Sequence, residues 1–250
     1  MLHGETRTRV KDSHALIAPD GHVQSDLPGW IKSKGVILIS PQMGAKFTQY
    51  LVLMQAGGQG APPEDRVERF FYVLSGSIEL RIGADVHSLA VGGYAYLPPG
   101  QAHTMTADMK SEVVVIERRY VARKKMLPPD PVVGTEEQLD SEPFMGDDSL
   151  QLRKLLPEEP NFDMAVNTMT FDPGTPLPQV ETHVMEHGLY MLRGSGIYRL
   201  ADDWYPVQKG DVIWMAPYCP QWFGTMGKQS ASYLLYKDVG RDPFAFEKES

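Results

Sequence analysis

Two histidines four residues apart, His183 and His187, follow a glutamate, Glu181, and a glutamine, Gln221, stands in a later segment of the chain. Together they offer two imidazole nitrogens, a carboxylate oxygen and an amide oxygen. With no thiolate, this borderline-hard donor set suits Mn²⁺, Fe²⁺, Ni²⁺ or Co²⁺ better than a structural zinc. Alternate side chains of an extended strand share a face, so Glu181 and His183 are expected to project together, with His187 across a turn and Gln221 from a separate strand. Four protein ligands on an octahedral ion leave two positions for water or a small chelating molecule. Glu181 could ligate through one oxygen and exchange a proton through the other. The same alternation puts Tyr233, Leu235 and Lys237 of ASYLLYK on one face and Leu234 and Tyr236 on the other. A lysine and a tyrosine facing an interior are costly unless used. Lys237 is therefore expected to be the counter-ion of a bound anionic group, and Tyr233 a hydrogen-bond donor.

The elements that must carry these residues read as β throughout. Short β-branched or aromatic runs (GVILIS, FFYVLSGSIELRI, VVVIERRYV, MAVNTMTF, ASYLLYK) are separated by turns rich in the chain's 23 glycines and 20 prolines. Only Asp148–Arg153 suggests a short helix or turn. The two halves repeat. FYVLSGSIELRI resembles LYMLRGSGIYRL, and GGYAYLPPGQAH resembles GDVIWMAPYCPQ. Tyr72 and Tyr190, Gly76 and Gly194, Gly92 and Gly210, and His103 and Gln221 are all 118 positions apart. A constant offset over four anchors implies two copies of one supersecondary unit, packed as two similar barrels. The proline-rich, acidic stretch 126–148 is expected to be an exposed connection between barrels at 31–125 and 149–250. Residues 1–30 lack periodicity and are expected to form an arm laid on the partner barrel.

Gly92, Pro98, Gly100 and His103 reproduce G-x5-P-x-G-x2-H, which resembles the second signature motif of the cupin superfamily. Its first motif, H-x-H-x3-E-x6-G, is represented by Glu181-x-His183-x3-His187-x6-Gly194, with Glu and His exchanged, and Gln221 stands where the last histidine would be. Ala216 and Tyr218 replace the motif's Pro and Gly in this copy. In the first copy the ligand positions are Pro63, Asp65 and Arg69 beside His103, and this set cannot hold a metal. His103 is thus expected to pack or hydrogen-bond. The reordered ligands, the inactive first copy and the segments GGYAYLPPG, ERRYV, ETHVMEHG and SYLLYKD resemble the bicupin (S)-ureidoglycine aminohydrolase family over nearly the whole chain. That resemblance implies an all-β bicupin of two jelly-roll barrels, with one Mn²⁺ in the C-terminal barrel on Glu181, His183, His187 and Gln221. It implies hydrolysis of a C–N bond, releasing ammonia from ureidoglycine to give (S)-ureidoglycolate in purine (allantoin) degradation. Glu181 and Lys237 would be the catalytic residues, and Tyr198 would complete a substrate pocket with Tyr233 and Lys237.

Other classes fit less well. A net charge of −8 disfavours nucleic acid, and the local basic patch Arg118, Arg119, Arg123, Lys124, Lys125 reads as a solvated or interdomain surface. No apolar run approaches the roughly 20 residues of a membrane span. The single cysteine, Cys219, forms no intrachain disulfide and reads as a loop thiol rather than a nucleophile. Without a leader-like segment the cytoplasm is the expected compartment, and the bicupin resemblance implies a homo-oligomer. Alternative readings are another metal-dependent bicupin enzyme (a decarboxylase, isomerase or dioxygenase) or a non-catalytic small-molecule-binding cupin. The former usually present H-x-H-x3-E, and the latter need no intact four-ligand set.

Overall fold

The computed structural model of the protein describes residues 6–241, which form β-strands joined by turns and three short 3-10 turns. His3 and the outermost parts of the N-terminal arm and the second barrel lie outside the described residues. Two compact units emerge, each centred on one of the sequence repeats. In the first, a nine-stranded antiparallel sheet has Gly93–Leu97, Val67–Ser75, Ser111–Arg119 and Phe47–Gln59 as central neighbours. Tyr50, Val52, Met54, Phe71, Val73 and Val115 project from their inner face into a buried core, as period-2 alternation dictates.

The second unit repeats this plan. Its eight-stranded sheet runs Val212–Met215, His187–Arg193, Ala231–Asp238, Met164–Phe171 and Asp147–Lys154 through its middle. A three-stranded sheet of Asp203–Gln208, Ser195–Leu200 and Gln221–Thr225 contributes to the same core, where Phe171, Tyr198, Phe223 and Tyr233 pack. Phe171 and Phe223 meet edge to face with centroids 4.9 Å apart. The repeat extends to irregularities. Val67–Ser75 slips against Ser111–Arg119 at Glu112/Val113, and His187–Arg193 slips against Ala231–Asp238 at Met191/Arg193. The glycines after these bulges are indispensable. Gly194 has φ +73°, and a Cβ there would lie 2.6 Å from the Ala231 Cα and the Ser230 carbonyl oxygen. Gly76 is placed alike, with Lys110 O at 2.5 Å from a Cβ.

Three expectations are corrected. Asp147–Lys154 is a strand, pairing Leu150 with Phe171 and Leu152 with Met169. Leucines two apart fit the period of a strand, and the helix-start look of Asp-Ser arises because the Asp147 carboxylate accepts the Ser149 backbone N–H at 2.9 Å. The stretch 126–148 is largely exposed but is more than a connection. Val132–Thr135 pairs with Gly93–Leu97 in the first unit, and Glu142–Phe144 pairs with Asp147–Lys154 in the second. The N-terminal 30 residues are divided between the units. Arg9–Leu16 belongs to the second, where His14–Ile17 adds to the sheet beside Val212–Met215. The strand is pinned by His14, whose Nε2 lies 2.9 Å from the Tyr205 hydroxyl, while burial lowers the imidazole pKa and keeps it neutral. Within the expected basic patch, Arg118 is buried beside Glu68 in the first unit. No described helix is long and apolar enough to cross a membrane.

Candidate metal centre

His187 opens its strand with two neighbours fixed by register, Met215 on one side and Lys237 on the other. Gln221 opens the strand Gln221–Thr225. Glu181 is not in a strand, contrary to the alternation expected for 181–183. It forms a single antiparallel bridge with Gln221, through Glu181 N–H to Gln221 O at 2.8 Å and the reverse bond at 2.9 Å. The prolines at 176 and 178 interrupt pairing here. The bridge still sets Glu181 beside Gln221, and His183 turns back so that its Nε2 lies 3.3 Å from a Glu181 carboxylate oxygen. The His183 and His187 rings stand 5.2 Å apart between centroids.

The loop carrying the motif's last turn holds His183 from below. Tyr218 occupies the position of Gly100 and adopts the same left-handed backbone, φ +63° against +77°. Its N–H donates to the His183 carbonyl at 2.6 Å. A left-handed tyrosine costs about 1 kcal/mol or more relative to glycine, so the loop shape survives loss of the glycine at some strain. Cys219 is buried, and burial pushes its thiol pKa up, away from nucleophilic use.

All seven residues expected at the site line one cavity of about 130 Å³ within the second unit. Burial, then the nearby His183 and Lys237, pull the His187 pKa down to about 3, so the ring is neutral, as a metal ligand must be. Tyr198 donates to the Gln221 side-chain oxygen at 3.1 Å and orients it, and burial raises the Tyr198 pKa so that it stays a phenol. Tyr233, equally buried, keeps its proton and points its hydroxyl at the Met169 sulfur, 3.3 Å away, a weak acceptor that a ligand could replace. Lys237 reaches the cavity without an ion-pair partner among the described residues. Asn167 and Met169, from Met164–Phe171, are lining residues that the sequence reading missed.

The donors fit a divalent ion in kind: two imidazoles, a carboxylate and an oriented amide oxygen lining one cavity. Among the described residues no three His, Cys, Asp or Glu side chains are already closed into a metal cluster. Glu181 and His183 instead hydrogen-bond to each other, and the fourth donor is an amide.

The first unit shows what replaces a metal. Arg69 stands where His187 does, between Leu97 and Glu117. Its guanidinium donates to the Glu117 carboxylate at 2.8 and 2.6 Å and to the Ala61 carbonyl at 2.7 Å, with Trp30 stacked over it. His103 gives its Nδ1 to the Gln101 carbonyl and lies 3.4 Å from Arg69. Arg69 is 2% exposed and Glu117 21%. Glu117→Ala should therefore destabilise the protein by about 2–4 kcal/mol in urea unfolding, by stranding a buried cation, whereas Arg69→Met with Glu117→Leu together should be near neutral.

Comparison with known proteins places the chain in a family. The cupin domain model matches twice, at residues 50–117 and 167–236. The chain is 46% identical over 245 residues to the probable (S)-ureidoglycine aminohydrolase of Oryza sativa subsp. japonica, covering 97% of this chain and 78% of the relative. It is 43% identical to the (S)-ureidoglycine aminohydrolase of Arabidopsis thaliana, covering 97% and 81%. The crystal structure of protein Ylba from E. coli superimposes with TM-score 0.85 at 35% identity, covering 95% of this chain and 96% of that one. The chain is a bicupin and belongs to the (S)-ureidoglycine aminohydrolase family.

Proposed function

We propose that the protein is a metal-dependent (S)-ureidoglycine aminohydrolase that converts ureidoglycine to (S)-ureidoglycolate and ammonia in allantoin degradation. The observation that carries this reading is one small cavity lined together by Glu181, His183, His187, Gln221 and Lys237, the last without an ion-pair partner among the described residues. A divalent ion held by those four, manganese by family resemblance, would supply a Lewis acid that orients a small chelating substrate.

The remaining work falls to the chain's own residues. Lys237 is the counter-ion of the substrate carboxylate, and Tyr233 donates a hydrogen bond to the substrate. At the reacting carbon the C–N bond breaks and a C–O bond to water forms. Water's hydroxyl stays on carbon and its proton departs with the amine as ammonia. The reaction consumes no net proton, so one group that accepts a proton and returns it is sufficient. Glu181 is placed for this, with a second oxygen that already reaches the His183 Nε2. Tyr198 positions Gln221. The buried walls limit competing water.

The test is ammonia release from ureidoglycine generated in situ, followed with a stereochemical assay of the product. The manganese-loaded protein should accelerate release and yield the S product. No acceleration over the metal-free solution would sink the proposal.

A further inference from the structure

We propose that Asn167 is the residue that reads the ureido group of the substrate, a role resting on the aminohydrolase reading above. Asn167 lies on the inner face of Met164–Phe171 and lines the cavity. It is 7% exposed, and its side-chain amide forms no hydrogen bond with any described residue. The amide is not sealed off like the fully buried unpaired groups elsewhere in the protein; it keeps access to the cavity, where water or a ligand meets its hydrogen bonds. The two phenols on the cavity wall, by contrast, have protein partners: Tyr198 with Gln221, Tyr233 with Met169.

Placement and chemistry point the same way. Asn167 pairs with Leu235, and Ala165, two residues along, pairs with Lys237. The amide is thus a diagonal neighbour of the ammonium, with Cα separation of about 7–8 Å. One small molecule can bridge both. An ionic carboxylate is best met by Lys237, whereas a neutral ureido group offers a carbonyl acceptor and an NH₂ donor. The Asn amide is their complement, donating to the one and accepting from the other.

The duplicated barrel isolates what Asn167 replaces. In the first unit the ladder runs Tyr50, Val115, Phe71, and in the second Asn167, Leu235, Leu189. Tyr50 is 5% exposed, and its phenol fills the interior beside Arg69 and Glu117. The short amide in its place leaves room and a free hydrogen-bonding edge in the barrel with the candidate metal centre.

The experiment uses two unreactive probes that differ only at one end: N-carbamoylglycine, with a terminal NH₂, and N-acetylglycine, with a methyl. Calorimetric titration of the manganese-loaded protein should show N-carbamoylglycine binding about 10- to 100-fold tighter. Asn167→Leu, apolar and close in size, should bind both alike, at the level of N-acetylglycine, with unchanged metal content and a matching rise in KM for ureidoglycine. An unchanged preference in Asn167→Leu would overturn the proposal, and so would equal weakening of both probes, which marks a packing role. Asn167→Ala gives the same readout if the leucine variant does not fold. Wild-type protein that neither binds the probes nor releases ammonia from ureidoglycine overturns the aminohydrolase reading itself, whereas turnover with an unaltered preference overturns only the role of Asn167.

Discussion

His187→Ala is expected to empty the metal centre and lower ammonia release from ureidoglycine about 10³-fold. The ring is 3% exposed, sits at a strand start clamped between Met215 and Lys237, and is held neutral by burial. The other donors on the cavity wall, Glu181, His183 and Gln221, are themselves assigned to the ion, so no spare carboxylate or imidazole lines the cavity to replace it. Lewis-acid stabilisation is worth several kcal/mol, and at about 1.4 kcal/mol per decade its loss gives about three decades of rate. Metal analysis after dialysis should fall from about one ion per chain to near zero, with steady-state kinetics measured in parallel. His103→Ala is the matched control. It removes the histidine at the motif's last position in the other barrel, where Arg69 and Glu117 occupy the centre, and should leave both metal content and turnover unchanged. A His187→Ala protein that is inactive yet keeps its ion would refute the ligand assignment.

How much of this was legible in the sequence follows from where the 118-residue offset holds. It holds through Arg69 and His187 and through Leu97 and Met215, so subtraction aligned the candidate ligand His187 with Arg69 at the same place in the first barrel. It drifts on the outer strands. Glu117, not Arg119, is the structural counterpart of Lys237, an offset of 120, and Tyr50 is the counterpart of Asn167, an offset of 117. Loops of unequal length between strands absorb those differences, and no motif residue marks them. For the same reason Asn167 escaped notice: an asparagine inside MAVNTMTF reads as a weak strand residue until pairing shows which face it takes. The bridge at Glu181 was hidden too. Alternation predicts which side chains share a face, but a strand needs a partner along its length, and Glu181 has one only at Gln221.

The second large effect belongs to Lys237, whose replacement by methionine should lower kcat/KM for ureidoglycine about 10²- to 10³-fold without releasing the metal. Truncating one member of a buried, hydrogen-bonded charge pair costs about 2–5 kcal/mol, here suffered only when the carboxylate is bound. In the free protein Lys237 has no carboxylate partner among the described residues, and its charge already disfavours protonation of His187. Methionine fills similar space beside Ala165 and His187 and removes an uncompensated half-buried charge, so thermal stability should hold or rise slightly. Activity and stability then move apart, which a general packing defect would not produce. Lys237→Arg should rescue little, because the planar guanidinium is too bulky for a cavity of about 130 Å³ and presents its donors as a fixed fork. Steady-state kinetics with metal analysis and a melting curve on the same preparations decides the matter. Full turnover in Lys237→Met would show that the substrate carboxylate is held elsewhere, and loss of metal would show that the lysine supports the ligand strand rather than the substrate.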